Sequence, residues 1–392
     1  MKIAIITERA NISLGGAERS VFELFSQLGL MGLDAEVLAA TGQSHSKKVR
    51  VLCGEGAKKR ADFSVFKRAL KKHFENVNYD IIHSTLPIDF ADVYQPRGGT
   101  YPEAIIRNAA SYENPLTGSC KLLTSFVNIR RTAFAISEKR ICKAADGPMV
   151  AALSEYVKKQ LKKHYNLRDE RIAVIPNGVK VSAQADTAKV DRLKGRVFEE
   201  LSIKEADKPV FFVFAANNFR LKGLKSLVRS TALLSKLCTR RNACILVAGR
   251  DDPGPYKRLA KSLNVQGKLL FLGPTDNIQN ILAISDVAVL PSYYDPASRF
   301  ILEAIAAGKP VITTKYNGAS EMFCNDVHGK IYDSPGDIDS LARAMKCYTD
   351  RQNVLTASEA IEKDRLCEKV SIKAHCEKLI ELYTEILRRK GQ

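Results

Sequence analysis

Two carboxylates eight residues apart, Asp295 and Glu303, are the first candidates for chemistry in this chain. They lie in the run Pro291-Ser292-Tyr293-Tyr294-Asp295-Pro296-Ala297-Ser298-Arg299-Phe300-Ile301-Leu302-Glu303, which follows a buried strand. Asp295 falls in the loop and Glu303 about one turn into the next helix. That spacing can bring both to a crevice outside the strand ends, where open α/β sheets take their ligands. Glu303 sits among Ile301, Leu302, Ala304 and Ile305, surroundings in which an ionised carboxylate is costly without a polar partner. A ribose diol would supply one, and an exposed helix carboxylate fits this neighbourhood less well. A second loop, Phe219-Arg220-Leu221-Lys222-Gly223, follows a strand and leads into a helix. Two cations and a glycine at a helix N-terminus suit a pyrophosphate, and they equally suit a solvated basic turn. A third, Gly15-Gly16, stands between the strand Lys2–Thr7 and a helix, where backbone N–H groups can meet an anion. A plain tight turn accounts for those two glycines as well. The third glycine of a dinucleotide fingerprint is missing, which disfavours NAD.

The elements that must position these residues alternate throughout the chain, the pattern of parallel α/β sheet. The reading places strands at Lys2–Thr7, Ala35–Ala39, Ile81–His83 and Met149–Leu153, with a helix over Ala17–Leu30 that aligns Val21, Leu24, Phe25 and Leu28. Polar residues 176–207 read as a connection. Strands then resume at Val210–Ala215, Ala243–Ala248, Lys268–Leu272, Val287–Leu290 and Val311–Thr313. Two domains are expected, 1–180 and 181–369. A closing amphipathic helix near 370–389 either returns to cover the first domain or ends the second.

Composition narrows the classes. The chain has 392 residues, 45% hydrophobic and 27% charged, a globular balance. Its net charge of +18 is spread over both halves and attracts anions: nucleotide phosphates, anionic membrane or nucleic acid. No tryptophan and only 7% aromatics weaken a base-stacking reading, so nucleic acid is not expected as a partner. Nine scattered cysteines without a C-x-x-C pair read as reduced thiols in a cytosolic protein. Neither a signal peptide nor a spanning helix is expected.

The order and spacing of the motifs resemble the retaining glycosyltransferases of family 4. The likeness rests on the Gly15-Gly16 loop, Leu153-Ser154-Glu155, Val174-Ile175-Pro176-Asn177-Gly178, Leu246-Val247-Ala248-Gly249 and Phe271-Leu272-Gly273. It continues through Ser285-Asp286-Val287, Leu290-Pro291-Ser292, Leu302-Glu303-Ala304 and Gly308-Lys309-Pro310-Val311. The resemblance implies a GT-B fold, two Rossmann-like domains facing each other across a cleft. It implies a nucleotide-sugar as co-substrate, with no cofactor and no metal. Glu303 would contact the nucleotide ribose. Asp295 stands where the family has Glu, close to the transferred sugar, and its shorter side chain reaches less far. Arg220 and Lys222 would hold the donor diphosphate, beside Gly223. Ser298, in place of the usual glycine, and Arg299 would also lie at the donor, as would Gly15 and Gly16.

The same resemblance puts the acceptor on the first domain. Asp92 is the catalytic candidate there, with His83 and Arg97 on the acceptor side; a satisfied core histidine is the other account of His83. Residues 103–144 interleave Lys121, Arg130, Arg131, Lys139, Arg140 and Lys143 with Leu122, Leu123, Phe126, Val127, Ile129 and Phe134. They suit either an anionic membrane surface or a helix pair packed on its own domain. The likeness to lipopolysaccharide core glycosyltransferases makes a lipid-linked saccharide the expected acceptor. The expected place is the cytoplasm, peripherally on the inner membrane. Two readings from other classes remain: a non-hydrolysing sugar-nucleotide epimerase, and a non-catalytic basic protein that binds membrane or nucleic acid.

Overall fold

The computed structural model describes residues 1–392 apart from 12–14, 45, 57–59, 125–126, 182–184, 239–242 and 392. Leu14 and Phe126 therefore lie outside the described residues. The chain forms two compact units. The first comprises Met1–Ala109, Asn114–Gly178 and Ile372–Gln392, the second Ala110–Glu113 and Val179–Ser371.

Unit 1 runs β1 (Lys2–Ala10), α1 (Gly16–Leu30), β2 (Asp34–Gly42), β3 (Val49–Glu55), α2 (Phe63–Phe74), β4 (Ile81–Ser84) and β5 (Val93–Tyr94). Then come α3 (Tyr101–Ala110), α4 (Pro115–Thr124), α5 (Ile129–Lys143), β6 (Met149–Ala152), α6 (Glu155–Tyr165) and β7 (Ile172–Val174). Its sheet is parallel, in the order β3-β2-β1-β4-β5-β6-β7. Ile3, Ala4, Ile5 and Ile6 are all fully buried. Such a continuous apolar run is what a strand covered on both faces requires. One face is covered by α1 through Val21, Leu24 and Leu28, together with Cys376, Leu379 and Tyr383 from the last helix of the chain.

Unit 2 runs α7 (Thr187–Glu200), β8 (Val210–Ala215), α8 (Leu224–Leu237), β9 (Ala243–Ala248), α9 (Gly254–Ser262), β10 (Leu269–Gly273) and α10 (Ile278–Ala283). It continues with β11 (Val287–Leu290), α11 (Arg299–Ala306), β12 (Val311–Thr314), β13 (Gly329–Tyr332), α12 (Ile338–Tyr348), α13 (Arg351–Lys363) and α14 (Leu366–Lys369). Helix α15 (Ile372–Lys390) then returns to unit 1. The second sheet is also parallel, ordered β10-β9-β8-β11-β12-β13. Each sheet thus reverses its strand order beside its first strand, between β1 and β4 and between β8 and β11.

Several sequence expectations need correcting. Residues 176–207 are more than a connection, because α7 inserts Val197 and its C-cap Leu201 into the core of unit 2. Only one of that helix's fourteen residues is buried, so its sequence looks like a polar linker. Strands β3, β5, β7 and β13 were not foreseen. Two to four residues, as in β5, β7 and β13, are too few to show a period. The segment 103–144 forms three helices, and Phe134 points into the core instead of lining an exposed apolar face.

Candidate functional site

Ligands of open parallel sheets bind beyond the strand C-termini where the order reverses. In unit 2 that point lies between the loops after β8 and β11, which carry Arg220-Leu221-Lys222-Gly223 and Asp295. The first loop is pinned by its own side chains. The Asp251 carboxylate accepts from Phe219 N–H at 2.8 Å, and Asn218 Oδ1 accepts from Leu221 N–H at 3.0 Å. The Phe219 ring packs edge-on against Phe214 and Tyr256. Gly223 caps α8 with φ of +79°, and a Cβ there would stand 2.0 Å from the Pro291 carbonyl oxygen. Only glycine lets the two loops approach so closely.

That approach brings the predicted residues together. Lys222 Nζ lies 2.6 Å from Asp295 Oδ2 and 2.8 Å from the Tyr294 carbonyl oxygen. The side chains of this pair are only 19% and 14% exposed. A partly desolvated pair of this kind does more to orient its members than to stabilise the fold. One helical turn beyond the loop, Arg299 Nη2 sits 3.1 Å from Glu303 Oε1, again with both side chains nearly covered. The polar partner that Glu303 needs is thus supplied from its own helix. The Arg220 guanidinium bonds to Ser111 Oγ and lies 3.8 Å from the centre of the Tyr112 ring, both residues of the short segment that belongs to unit 2. Ser298 has a structural role besides the one expected. Its hydroxyl caps α11 by accepting from Ile301 N–H, and the residue is buried.

The sequence reading missed Asn317. Fully buried, it accepts from Ser298 N–H at 3.2 Å and Ala319 N–H at 3.1 Å and donates to Thr313 Oγ1 at 3.0 Å. Asp295 N–H donates to the neighbouring Tyr316 carbonyl at 2.9 Å. The loop after β12 therefore braces the loop that carries Asp295. The Asn317-Gly318 pair was the available signal, a turn dipeptide directly after a strand.

In unit 1 the reversal point opens into a cavity of about 290 Å³ beyond β1 and β4. Thr7, Glu8, Thr85 and Leu86 line it, with Ala17 and Glu18 of α1, the Arg97-Gly98-Gly99 turn, Tyr101 and Arg131. Arg97 bonds to Ser20 Oγ and to Asn177 Oδ1, the latter at 3.3 Å. Gly15 and Gly16 begin α1 beside this cavity, in the unit that does not hold Glu303 and Lys222. Gly15 is extended, with φ of 167°, so its conformation makes no demand for glycine.

Two first-unit candidates are corrected. His83 is fully buried, hydrogen-bonded through Nδ1 to Tyr383 Oη at 2.7 Å, and does not line the cavity. Burial, with Arg97 and His375 nearby, lowers its pKa to about 3, so it stays neutral in the core. Asp92 lies at the opposite, N-terminal edge of the sheet. Its carboxylate accepts from Ile82 N–H at 2.8 Å and pairs with Lys390 of α15 at 2.7 Å. Both residues tie α15 and the sheet together.

Residues 14–183 match the family description Glycosyltransferase Family 4, and residues 198–363 match Glycosyl transferases group 1. Together the two matches span most of the chain and mark both of its halves as glycosyltransferase domains. Among its relatives is the lipopolysaccharide glucosyltransferase WaaG of Escherichia coli, 25% identical over 189 residues, 47% of this chain and 48% of WaaG. The chain spans about half the length of the curated relatives it matches. The crystal structure of WaaG, a glycosyltransferase involved in lipopolysaccharide biosynthesis, superposes with a TM-score of 0.75 at 18% identity, covering 97% of this chain and 99% of WaaG. Anabaena HepE in complex with UDP-glucose gives 0.69 at 16% identity, covering 98% and 100%. These likenesses establish the GT-B fold. In unit 2 the two candidate carboxylates are each paired, Asp295 with Lys222 and Glu303 with Arg299.

Proposed function

We propose that the chain is a retaining, metal-independent glycosyltransferase that takes a sugar from a nucleotide diphosphate and gives it to a saccharide acceptor. The observation that carries this reading is the junction of the two loops in unit 2, where Lys222 and Asp295 meet over Gly223 at the reversal of strand order. Lys222 and Arg220 receive the donor diphosphate and stabilise its charge as the sugar–phosphate bond breaks with oxocarbenium character. Glu303 accepts from the ribose hydroxyls while Arg299 fixes its rotamer. Asp295 orients the sugar hydroxyls, directly or through water, since it is one methylene shorter than Glu. The electron pair of the broken C1–O bond leaves on the diphosphate. The acceptor oxygen forms the new bond on the same face, and its proton passes to the departing phosphate. The cavity of unit 1 receives the acceptor, with Arg97 in its wall.

The likeness to HepE with UDP-glucose makes a UDP-hexose the first donor to test, and the relationship to WaaG makes a lipid-linked, lipopolysaccharide-core-like saccharide the first acceptor. No helix among the described residues is long and apolar enough to cross a membrane. Peripheral contact with the cytoplasmic face of an anionic membrane is supported by exposed Leu116, Leu123, Val127 and Ile129, the last 85% exposed, in a segment that also exposes Lys121, Lys139, Arg140 and Lys143. The test is transfer from UDP-glucose to a core oligosaccharide in the presence of EDTA, with the anomeric configuration of the product read by NMR. An α-linked product made without metal supports the proposal. An inverted product, or free epimerised nucleotide-sugar in place of transfer, overturns it.

A further inference from the structure

The cavity of unit 1 has an asymmetry of charge. Each acid in its wall already has a basic partner: Glu8 pairs with Arg130 and with Arg60 at 3.3 Å, and Glu18 with Arg9 at 2.6 Å. Arg131 lines the same cavity. Among the described residues its guanidinium has neither a carboxylate nor another hydrogen-bond acceptor. Only its backbone is engaged, Arg131 N–H donating to Asn128 Oδ1 at 3.0 Å in the N-cap of α5. That cap fixes the residue in the first turn of a fifteen-residue helix, whose N-terminal end adds positive potential. Burial pulls Arg131 below the usual arginine range. A half-buried arginine with no side-chain acceptor among the described residues, in the lining of a cavity at the small end of ligand-site sizes, suits a bidentate anion.

We infer that this cavity is an anion subsite in which Arg131 receives a phosphate or carboxylate carried by the acceptor saccharide. The inference rests on reading unit 1 as the acceptor's unit, and it narrows the substrate class to acidic or phosphorylated saccharides. Arg97, across the same wall, adds its charge to the field.

The test titrates glucose 6-phosphate, glucuronate and glucose into the full chain held saturated with UDP, which keeps phosphate groups out of unit 2. Glucose 6-phosphate or glucuronate should bind about tenfold or more tightly than glucose. Arg131→Ala should remove that advantage, and Arg131→Lys should keep part of it. Lys159→Ala, which removes an equal charge from the exposed face of α6, should change nothing. Thermal melting of each variant checks folding, and the lysine variant carries the test if the alanine one is destabilised. Binding to phosphatidylglycerol vesicles separates a lipid headgroup from a saccharide anion, and Arg131→Ala should leave it unchanged. Charged and neutral sugars binding alike, an unaffected Arg131→Ala, or a loss confined to vesicles would each overturn the inference. A separate UDP titration keeps the two readings apart. Failure of UDP to bind would sink the donor reading alone, while Arg131-dependent binding of the sugar anion would stand.

Discussion

The two units share a sheet design and differ in where they keep their polar groups. Unit 2 has one continuous apolar core, and its charged candidates sit on adjoining loops as two ready-made pairs, Lys222–Asp295 and Arg299–Glu303. Unit 1 divides its apolar residues among smaller clusters and buries ionisable groups within them, including His83, His375 and Glu138. Glu138 is fully buried and holds the Tyr94 and Tyr165 hydroxyls together with Tyr101 N–H. On the proposed reading one fold serves two tasks. Unit 2 presents point charges on short loops, which would suit a diphosphate. Unit 1 builds a cavity whose wall is drawn from five separate stretches of chain and is braced from behind by α15.

The largest effect should come from breaking the loop junction of unit 2. Gly223→Val forces a Cβ into the Pro291 carbonyl, and it should abolish nucleotide-induced stabilisation while costing several kcal/mol by urea unfolding, on the order of other backbone clashes at special φ. Lys222→Ala keeps the fold and should lower kcat by about a hundredfold or more, the scale of losing a group that stabilises transition-state charge.

The next effect belongs to unit 1 and to pH. His83 and His375 have folded pKa values lowered to about 3 by burial and by nearby Arg97, below the ordinary value of 6.5. The unfolded chain therefore binds more protons between those values, and stability falls as pH drops below 6.5. Each histidine should cost about 2 kcal/mol between pH 7 and pH 5. Glu138 works the other way, because burial raises its pKa from 4.5 to about 7. Its contribution is full below 4.5 and is lost as pH rises through 7, so it offsets roughly one histidine over the same window. Glu138→Gln should thus steepen the acid loss of stability by about 2 kcal/mol, read by urea melts at pH 7 and pH 5. A slope unchanged by that substitution would break the contrast between the units.

The smallest effect sharpens the reassignment of Asp92. Asp92→Asn should leave transfer rates within about twofold, while loss of the Lys390 pair costs up to about 1 kcal/mol of stability, the amide oxygen still accepting from Ile82 N–H. A large fall in kcat with unchanged melting would return Asp92 to the reaction.

What the sequence made legible follows the same division. The candidates of unit 2 lie on contiguous stretches, so Lys222, Gly223, Asp295 and Glu303 could be picked out from the sequence, while their roles came from the family resemblance. Ser298 also caps α11, a second use of the hydroxyl that only the path of that helix reveals. Asn317 escaped notice because it braces Asp295 from another strand's loop. In unit 1 the cavity draws on residues from Thr7 to Arg131, and no local pattern joins them. His83 and Asp92 looked chemical because His and Asp near strand ends often are, yet α15 comes from the far end of the sequence to take both. Apolar runs revealed most of the longer strands, though not seven-residue β3, while β5, with two residues, left no period to read.

The central claim is that unit 2 binds a nucleotide-sugar through Lys222 and Glu303. The most direct measurement is thermal melting of the purified chain with UDP-, GDP- and ADP-sugars in EDTA, beside Lys222→Ala and Glu303→Gln. The account predicts that one nucleotide class raises the melting temperature of the wild type and that both variants lose the rise. If no nucleotide-sugar shifts the melting temperature, or the shift survives in both variants, the donor site proposed for unit 2 is contradicted.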